Sequence, residues 1–184
     1  ERFWLLPSEG GEKPLSIGMP WPEAYLTSRG ANFRWQSAFA EIAPNIFITG
    51  EVPRQTSFET GSPKFIINRN GRMEPDPFLD DYSLAVKTSE GLVVVLGCAH
   101  AGTINVLDHL IEKTGEDRVR AVLGGTHLGF SSDDQLDETI AALKRYRVHT
   151  LAVSHCTGQK PIARLAAEFR ENFAFGCVGF TLSS

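Results

Sequence analysis

The sequence is poor in the features that mark several large classes of protein. Its 184 residues include only three cysteines, too few for a disulfide framework, so we expect a reducing, cytoplasmic setting. The net charge is −4 and the basic residues are scattered, which argues against a nucleic-acid partner. The longest apolar run, residues 92–96, is far too short to cross a bilayer, so we expect no membrane partner.

Three common catalytic signatures are also missing. The sequence has no G-x-S-x-G nucleophile elbow, no G-x-x-x-x-G-K-[ST] phosphate loop and no G-x-G-x-x-G dinucleotide loop. The neighbouring His155 and Cys156 suggest a thiol nucleophile with its base. However, adjacent residues on a strand point to opposite faces, so this spacing disfavours that chemistry.

The apolar pattern predicts an α/β fold. Extended runs at residues 46–50, 65–67, 84–88 and 92–97 precede an alternation of helical and extended segments, and residues 89–91 are typical of a hairpin turn. The predicted helices cover residues 103–114, a stretch capped by Ser131 or Ser132, and residues 160–171; the later extended segments cover residues 119–124, 149–153 and 173–182.

The first part of the chain has a different character. Residues 7–35 contain prolines 7, 14, 20 and 22 and several glycines, which predict an irregular arm or lid with a short helix near residues 21–28. The chain starts at Glu1 inside an apolar stretch, so we expect a cut end. The length favours one domain, or a large piece of one, that includes the arm.

Histidines recur in three segments, each directly after a β-like run. The segments are LGCAHAG (residues 96–102), GGTHLG (residues 124–129) and SHCTG (residues 154–158). A buried strand followed by a glycine-rich loop delivers side chains to one edge of a sheet, where ligands commonly bind. The three segments therefore predict one shared site and raise the hypothesis of a metal centre.

The individual residues differ in how well they fit metal binding. Small polar neighbours favour a ligand role for His155 over that of a core histidine, and His100 has the same geometry. Cys98 fits a ligand and a small buried residue equally well. His127 follows two glycines and favours a polar role toward substrate over ligation.

Further polar residues are candidates for the same site. Asp80 and Asp81 end an acidic run that either belongs to a solvated loop or allows one of the two to reach a cation or an imidazole. Thr157 and Lys160 flank a predicted helix start, where they could hold an anion such as phosphate. A capping threonine and a solvated lysine explain these two residues equally well.

The order of these segments resembles one protein family. LDD (residues 79–81), GLVVVLGCAHAGTIN (91–105), GGTHL (124–128) and SHCTG (154–158) follow the pattern of metallo-β-lactamase superfamily hydrolases. NIFITGEVPR (45–54) is similar to the branch that includes the archaeal dihydropterin ribofuranosylaminobenzene phosphate synthases. The resemblance covers roughly residues 41–182.

The resemblance implies an αβ/βα metallo-β-lactamase sandwich with a metal site at one edge. Residues 1–184 would be its C-terminal portion, because the His-x-His-x-Asp-His motif of the family's first half is not in this sequence. His100 and His155 match ligand positions, and Cys98 stands where many relatives carry a bridging aspartate. Asp81 stands near a position that is often histidine, and His127 matches a motif that we assign to catalysis or substrate contact.

The implied function is a metal-dependent hydrolase, in which metal-activated water attacks an ester, amide or phosphoester of a small molecule. We expect zinc, with manganese, iron and magnesium as alternatives. The expected partners are a small-molecule substrate, which could carry a phosphate, and the missing N-terminal half of the fold. The alternatives are a non-catalytic binding or regulatory domain on this fold and a metal redox module.

Overall fold

A computed structural model describes residues 2–8 and 11–183 of the chain. The described residues form two compact units. The smaller unit contains residues 2–8, 11–36 and 62–77, and the larger contains residues 37–61 and 78–183.

The smaller unit is built on a four-stranded antiparallel sheet with the order β2-β1-β5-β6. Its strands are β1 (Arg2–Ser8), β2 (Gly11–Ser16), β5 (Phe65–Arg69) and β6 (Arg72–Pro75), and it includes the short helix α1 (Glu23–Ser28). Arg2 forms an ion pair with the buried Asp76. Asn70 and Gly71 both have positive φ, which suits the tight turn between β5 and β6.

The prediction of an irregular arm over residues 7–35 is therefore wrong for part of its length. Pro7 and Pro14 both lie in paired strands, opposite Glu12 and Leu5 respectively. Pro14 is tolerated because β2 is an outer strand, and Pro7 because it lies beyond Arg2–Trp4, the part of β1 that pairs with β5. The predicted short helix near residues 21–28 is present as α1.

The larger unit contains a seven-stranded sheet with the order β11-β10-β9-β8-β7-β4-β3. The strands are β3 (Ala40–Ala43), β4 (Ile46–Ile48), β7 (Leu84–Thr88), β8 (Gly91–Leu96), β9 (Val119–Gly125), β10 (Thr150–Ser154) and β11 (Phe173–Phe175). Strands β8 to β11 are parallel, and β7, β4 and β3 continue the sheet in antiparallel fashion. This arrangement is the predicted α/β architecture, with its hairpins ahead of the parallel layer.

Three helices connect the parallel strands: α2 (Thr103–Thr114), α3 (Asp133–Arg145) and α4 (Gln159–Phe169). The start of α3 and the end of α2 lie where the local sequence predicts them. The Ser132 hydroxyl caps α3 by accepting from the Gln135 N–H at 3.2 Å. Gly115 ends α2 in the left-handed conformation, with φ 65°.

Each face of the larger unit's sheet carries a row of side chains, and the two rows have different surroundings. One row joins the helices in a single core that includes Val94, Val122 and Leu151. The other row is also apolar, but Leu84 and Val95, which are paired across β7 and β8, are each 38 % exposed. A strand that is apolar on both sides is typical of a sheet covered on both faces.

Within the described residues, no helix combines the length and the apolar character needed to cross a membrane.

Candidate metal centre

The three histidine segments meet at one edge of the larger unit's sheet. Because β8, β9 and β10 are parallel neighbours, their carboxyl ends lie side by side. Cys98 and His100 follow β8, His127 follows β9, and His155 follows β10. The fold thus brings together side chains that are more than 50 positions apart in sequence, as between Cys98 and Cys156.

The tightest cluster of metal-binding atoms consists of Cys98, His155 and Cys156. One ligand atom from each of these side chains lies within 4.8 Å of the others. The thiol of Cys156 also lies 3.5 Å from the Cys98 carbonyl oxygen. Two sulfurs and one imidazole nitrogen make a donor set that suits a soft or borderline transition metal.

Cys156 is the member of this cluster that sequence reasoning left out. The argument that His155 and Cys156 point to opposite faces is wrong, because both residues have already left the strand. Residues His155–Thr157 form one turn of 3-10 helix, and His155 has φ 53°. The alternation of an extended chain does not apply in such a turn.

Glycine at position 125 makes room for this cluster. A Cβ atom there would lie 2.8 Å from the Cys156 sulfur and 2.6 Å from the Gly97 carbonyl oxygen, distances that no real side chain tolerates. Gly124 has φ 106°, and a Cβ there would lie 2.2 Å from the Leu96 carbonyl oxygen in β8. The paired glycines at the end of β9 therefore allow the close approach of three strand ends.

The other two histidines of the segments stack in a row of rings. The His100 ring lies flat on Phe78, with ring centroids 3.8 Å apart, and the His127 centroid lies 4.2 Å from that of His100. Phe130 closes the row at 4.7 Å from His127. Burial, helped by the neighbouring His100, lowers the pKa of His127 to about 4, so its imidazole is neutral at pH 7.

The pKa values of the two clustered thiols are shifted in opposite directions, chiefly by hydrogen bonds to sulfur. Bonds from Cys156 and then His100 hold the pKa of the Cys98 thiol well below its usual range. The same pairing, together with burial, raises the pKa of Cys156. Cys98 is therefore the more readily deprotonated of the two thiols, and thiolate is the form in which cysteine binds metal.

Asp81 lies beside the cluster, but its carboxylate is engaged with the backbone. It accepts a hydrogen bond from the His100 N–H, and burial raises its pKa. In this position Asp81 orders the loop that carries Cys98 and His100. Its predicted role as a metal ligand remains a prediction, and the geometry gives it a supporting role.

The two residues predicted to bind substrate have other contacts in the structure. Thr157 is completely buried, and its hydroxyl donates to the Ser154 carbonyl at 2.7 Å and pairs with Thr126 at 3.0 Å. Lys160 makes an exposed ion pair with Asp133. Thr157 thus ties two strand ends together, whereas Lys160 is open to solvent; substrate binding by either is still a prediction.

Glu59 is a buried acidic residue that the sequence did not single out. Its carboxylate accepts from the backbone N–H groups of Ile104 and Asn105, both at 2.9 Å, and so caps the start of α2. Gly102 permits this contact, since a Cβ there would lie 2.2 Å from the carboxylate. A single acidic residue in a polar loop carries no local signal for such a role.

A separate cavity of about 720 Å³ lies where β9 and β10 begin, far along these strands from the histidine segments. Its lining includes Arg118, Arg120, Arg147 and His149. Arg120 bonds to Glu90 at 2.6 Å, and Arg118 is paired with Glu116. The cavity does not include any of the cysteines or histidines of the three segments.

Comparison with known proteins supplies relatives of this chain. No protein-family profile matches it. It is 35 % identical over 136 residues to 7,8-dihydropterin-6-methyl-4-(beta-D-ribofuranosyl)-aminobenzene-5'-phosphate synthase of Methanocaldococcus jannaschii, a match covering 72 % of this chain and 46 % of that protein. An uncharacterized protein of the same organism is 32 % identical over 139 residues, covering 76 % of this chain and 50 % of its own length.

A solved structure agrees with these sequence matches. Tm1679, described as a metal-dependent hydrolase of the β-lactamase superfamily, superposes with a TM-score of 0.71 at 33 % identity, covering 83 % of this chain and 59 % of its own. The chain spans about half the length of the curated relatives it matches. Sequence and fold comparisons therefore agree that the chain is similar to this archaeal synthase and to a metal-dependent hydrolase of the β-lactamase superfamily.

Proposed function

We propose that this chain is the C-terminal portion of a metal-dependent hydrolase that cleaves an ester, amide or phosphoester of a small molecule. The observation that carries the proposal is the cluster of Cys98, His155 and Cys156, whose ligand atoms lie within 4.8 Å of one another at a sheet edge. Its relatives are described as a synthase and a metal-dependent hydrolase.

The donor chemistry of the cluster fits zinc best among the four metals considered. Thiolate and imidazole are the usual zinc ligands in proteins, whereas magnesium requires oxygen donors. Iron and manganese are weaker alternatives, because thiolates and imidazoles favour zinc over manganese. When bound, such an ion supplies a Lewis acid and a water of lowered pKa.

The other residues of the site would then handle substrate and protons. His127 is neutral at pH 7, so its ring can accept a proton or a hydrogen bond from a reacting group. Phe78 and Phe130 lie against the two ends of the histidine row and give it apolar contacts there. The exposed Lys160 can exchange Asp133 for an anionic group of the substrate.

A phosphorylated substrate is the more specific form of this proposal. The name of the Methanocaldococcus jannaschii relative includes a ribofuranosyl group with a 5′-phosphate. Lys160 lies at the start of α4, where backbone N–H groups and the helix dipole both favour an anion. The phosphate would therefore lie on the β10 side of the metal centre.

The chain alone is expected to be catalytically incomplete. A catalytic zinc ion typically has about three protein ligands and an open position, and related sites often hold two ions. We propose that a preceding segment, the N-terminal half of the fold, supplies further ligands and covers the second row of the sheet. The isolated chain should then bind zinc weakly and hydrolyse nothing, and adding that segment should restore both properties.

The test uses a longer natural protein that contains this chain. His155→Ala is compared with His149→Ala, which changes a histidine at the opposite end of β10. Metal content is measured by mass spectrometry, and hydrolysis with p-nitrophenyl esters and bis(p-nitrophenyl) phosphate. We expect His155→Ala to lose metal and at least about 100-fold in turnover, and His149→Ala to keep both.

Three results would redirect the proposal. Full metal content in His155→Ala would show that this residue is not a ligand. A protein with no metal at all would favour a binding or regulatory domain. Bound iron with a visible absorption band and no hydrolysis would favour a redox module.

A further inference from the structure

Cys98 and Cys156 form a close pair of thiols, and the proposed hydrolysis makes no use of a reaction between the two. Their sulfurs come from the ends of two different strands, β8 and β10, and lie within 4.8 Å of each other. Both cysteines are free thiols in the structure. The third cysteine, Cys177, is exposed and follows β11 at the sheet margin.

The surroundings of the pair allow the two sulfurs to come closer. A Cβ at position 125 would lie 2.8 Å from the Cys156 sulfur, and because the residue is glycine this space is open. Cys156 lies in a single 3-10 turn and not within a strand, so a small shift of its backbone breaks no sheet ladder. Both cysteines are only partly buried, so a small reagent can reach them.

We propose that Cys98 and Cys156 form a reversible disulfide, which is a modification site at the mouth of the metal centre. The oxidant is a low-molecular-weight disulfide of the glutathione type. One thiolate attacks a sulfur of this reagent and releases one thiol, and the second cysteine then attacks the mixed disulfide and releases another. The protein loses two electrons and two protons, and the reagent is reduced to two thiols.

This disulfide would also close the metal centre, a consequence that rests on the proposed function. Two of the three clustered donors are the sulfurs of the pair. A sulfur in a disulfide is no longer a thiolate and does not serve as a zinc ligand. Oxidation would therefore switch the centre off, and reduction would restore it.

The test uses the full chain with Cys177→Ser, which leaves only the pair. The metal-free protein is equilibrated with oxidised glutathione, and its thiols are then counted with a chromogenic reagent. We expect both thiols to disappear, the mass to fall by two hydrogens, and a phosphine reductant to restore both. Digestion should yield one linked peptide joining residues 98 and 156.

Single-cysteine variants provide the matched control. Cys98→Ser and Cys156→Ser, each combined with Cys177→Ser, should stop at a mixed disulfide and gain the mass of one glutathione less two hydrogens. Retention of both thiols by the paired protein, a stable glutathione adduct on it, or linkage between two chains would overturn the proposal.

A parallel measurement separates this proposal from the proposed function. Zinc binding is measured independently of oxidation, with a competing chelator, on the reduced longer protein that contains the preceding segment. Absence of zinc binding in the reduced protein would contradict the metal centre and leave the disulfide standing. Zinc binding with no intramolecular disulfide would contradict the switch alone. If both hold, bound zinc should protect both thiols from glutathione.

Discussion

At the scale of single residues, the candidate metal centre depends on the lack of a side chain at Gly125 as well as on the side chains that could bind the ion. Gly125 lies between the Gly97 carbonyl oxygen and the Cys156 sulfur, and a Cβ would approach them to 2.6 and 2.8 Å. We expect Gly125→Ala to push Cys156 away from Cys98 and to destabilise the fold by about 1 to 3 kcal/mol.

This change should lower the free energy of zinc binding, measured by chelator competition, by more than it lowers the free energy of unfolding, measured by urea denaturation. Gly18→Ala is the control, because a Cβ at Gly18 would meet nothing within 4 Å and no positive φ is required there. Unchanged zinc affinity in Gly125→Ala would show that the cluster does not need the clearance.

Glu59 gives a second prediction at this scale, on stability. Its carboxylate accepts two backbone N–H groups at the start of α2, so Glu59→Ala leaves two buried donors without an acceptor. We expect a loss of about 2 kcal/mol or more in the free energy of unfolding. Glu59→Gln keeps one acceptor and should lose less, as measured by urea denaturation.

The same residue predicts a pH dependence with a definite sign. Burial raises the pKa of Glu59 above its ordinary value of 4.5, so the folded state holds this proton more tightly than the unfolded state. The stability that Glu59 contributes is complete below 4.5 and is lost as pH rises through the raised pKa. Relative to Glu59→Gln, which cannot titrate there, wild type should therefore lose stability over that range; the opposite slope would contradict the burial argument.

At the scale of elements, the apolar pattern predicted the long helices and strands of the larger unit correctly. The helix predicted over residues 103–114 is α2, with its Gly115 end, and the extended runs before and after it are β8 and β9. The failures are local. Strand β2 was missed because Pro14 usually interrupts strands, yet an outer strand accepts it.

The candidate site could be predicted only to the level of its segments. Parallel strands explain why the histidine segments meet, and this followed from the sequence. The contribution of Cys156 did not, because it depends on a 3-10 turn with positive φ at His155. Glu59 was also missed, since its partners at Ile104 and Asn105 are about 45 positions away along the chain.

The arm supplies a prediction about elements. None of the clustered donors comes from residues 7–35, so deletion of this segment should change substrate preference or KM more than metal content. The deletion is made in the longer protein, with metal analysis and steady-state kinetics as the measurements. Loss of the metal, or unfolding of the whole protein, would show that β2 and α1 belong to the core.

At the scale of the whole molecule, the sheet of the larger unit has a second apolar row that is partly open. Leu84 and Val95 lie opposite each other in that row, each 38 % exposed. If the rest of the domain covers this row, Leu84→Gln with Val95→Gln should have opposite effects in two settings. It should reduce self-association of the isolated chain and destabilise the longer protein by about 2 kcal/mol or more.

Light scattering and urea denaturation measure the two effects. Val178→Gln is the control, because Val178 is fully exposed and outside the strands, and it should change neither property. Equal stability of the longer protein with and without the double substitution would mean that this row stays open to solvent there.

The central claim is that Cys98, His155 and Cys156 bind one transition-metal ion. Titration of the longer protein with Co²⁺, followed by absorption spectroscopy, tests it most directly, because a thiolate bound to Co²⁺ gives a charge-transfer band that an imidazole or carboxylate does not. We predict this band in wild type and in Cys177→Ser, a weaker band in Cys98→Ser and in Cys156→Ser, and none when both are replaced. A full band in the doubly substituted protein, or no band in wild type at any Co²⁺ concentration, would contradict the account.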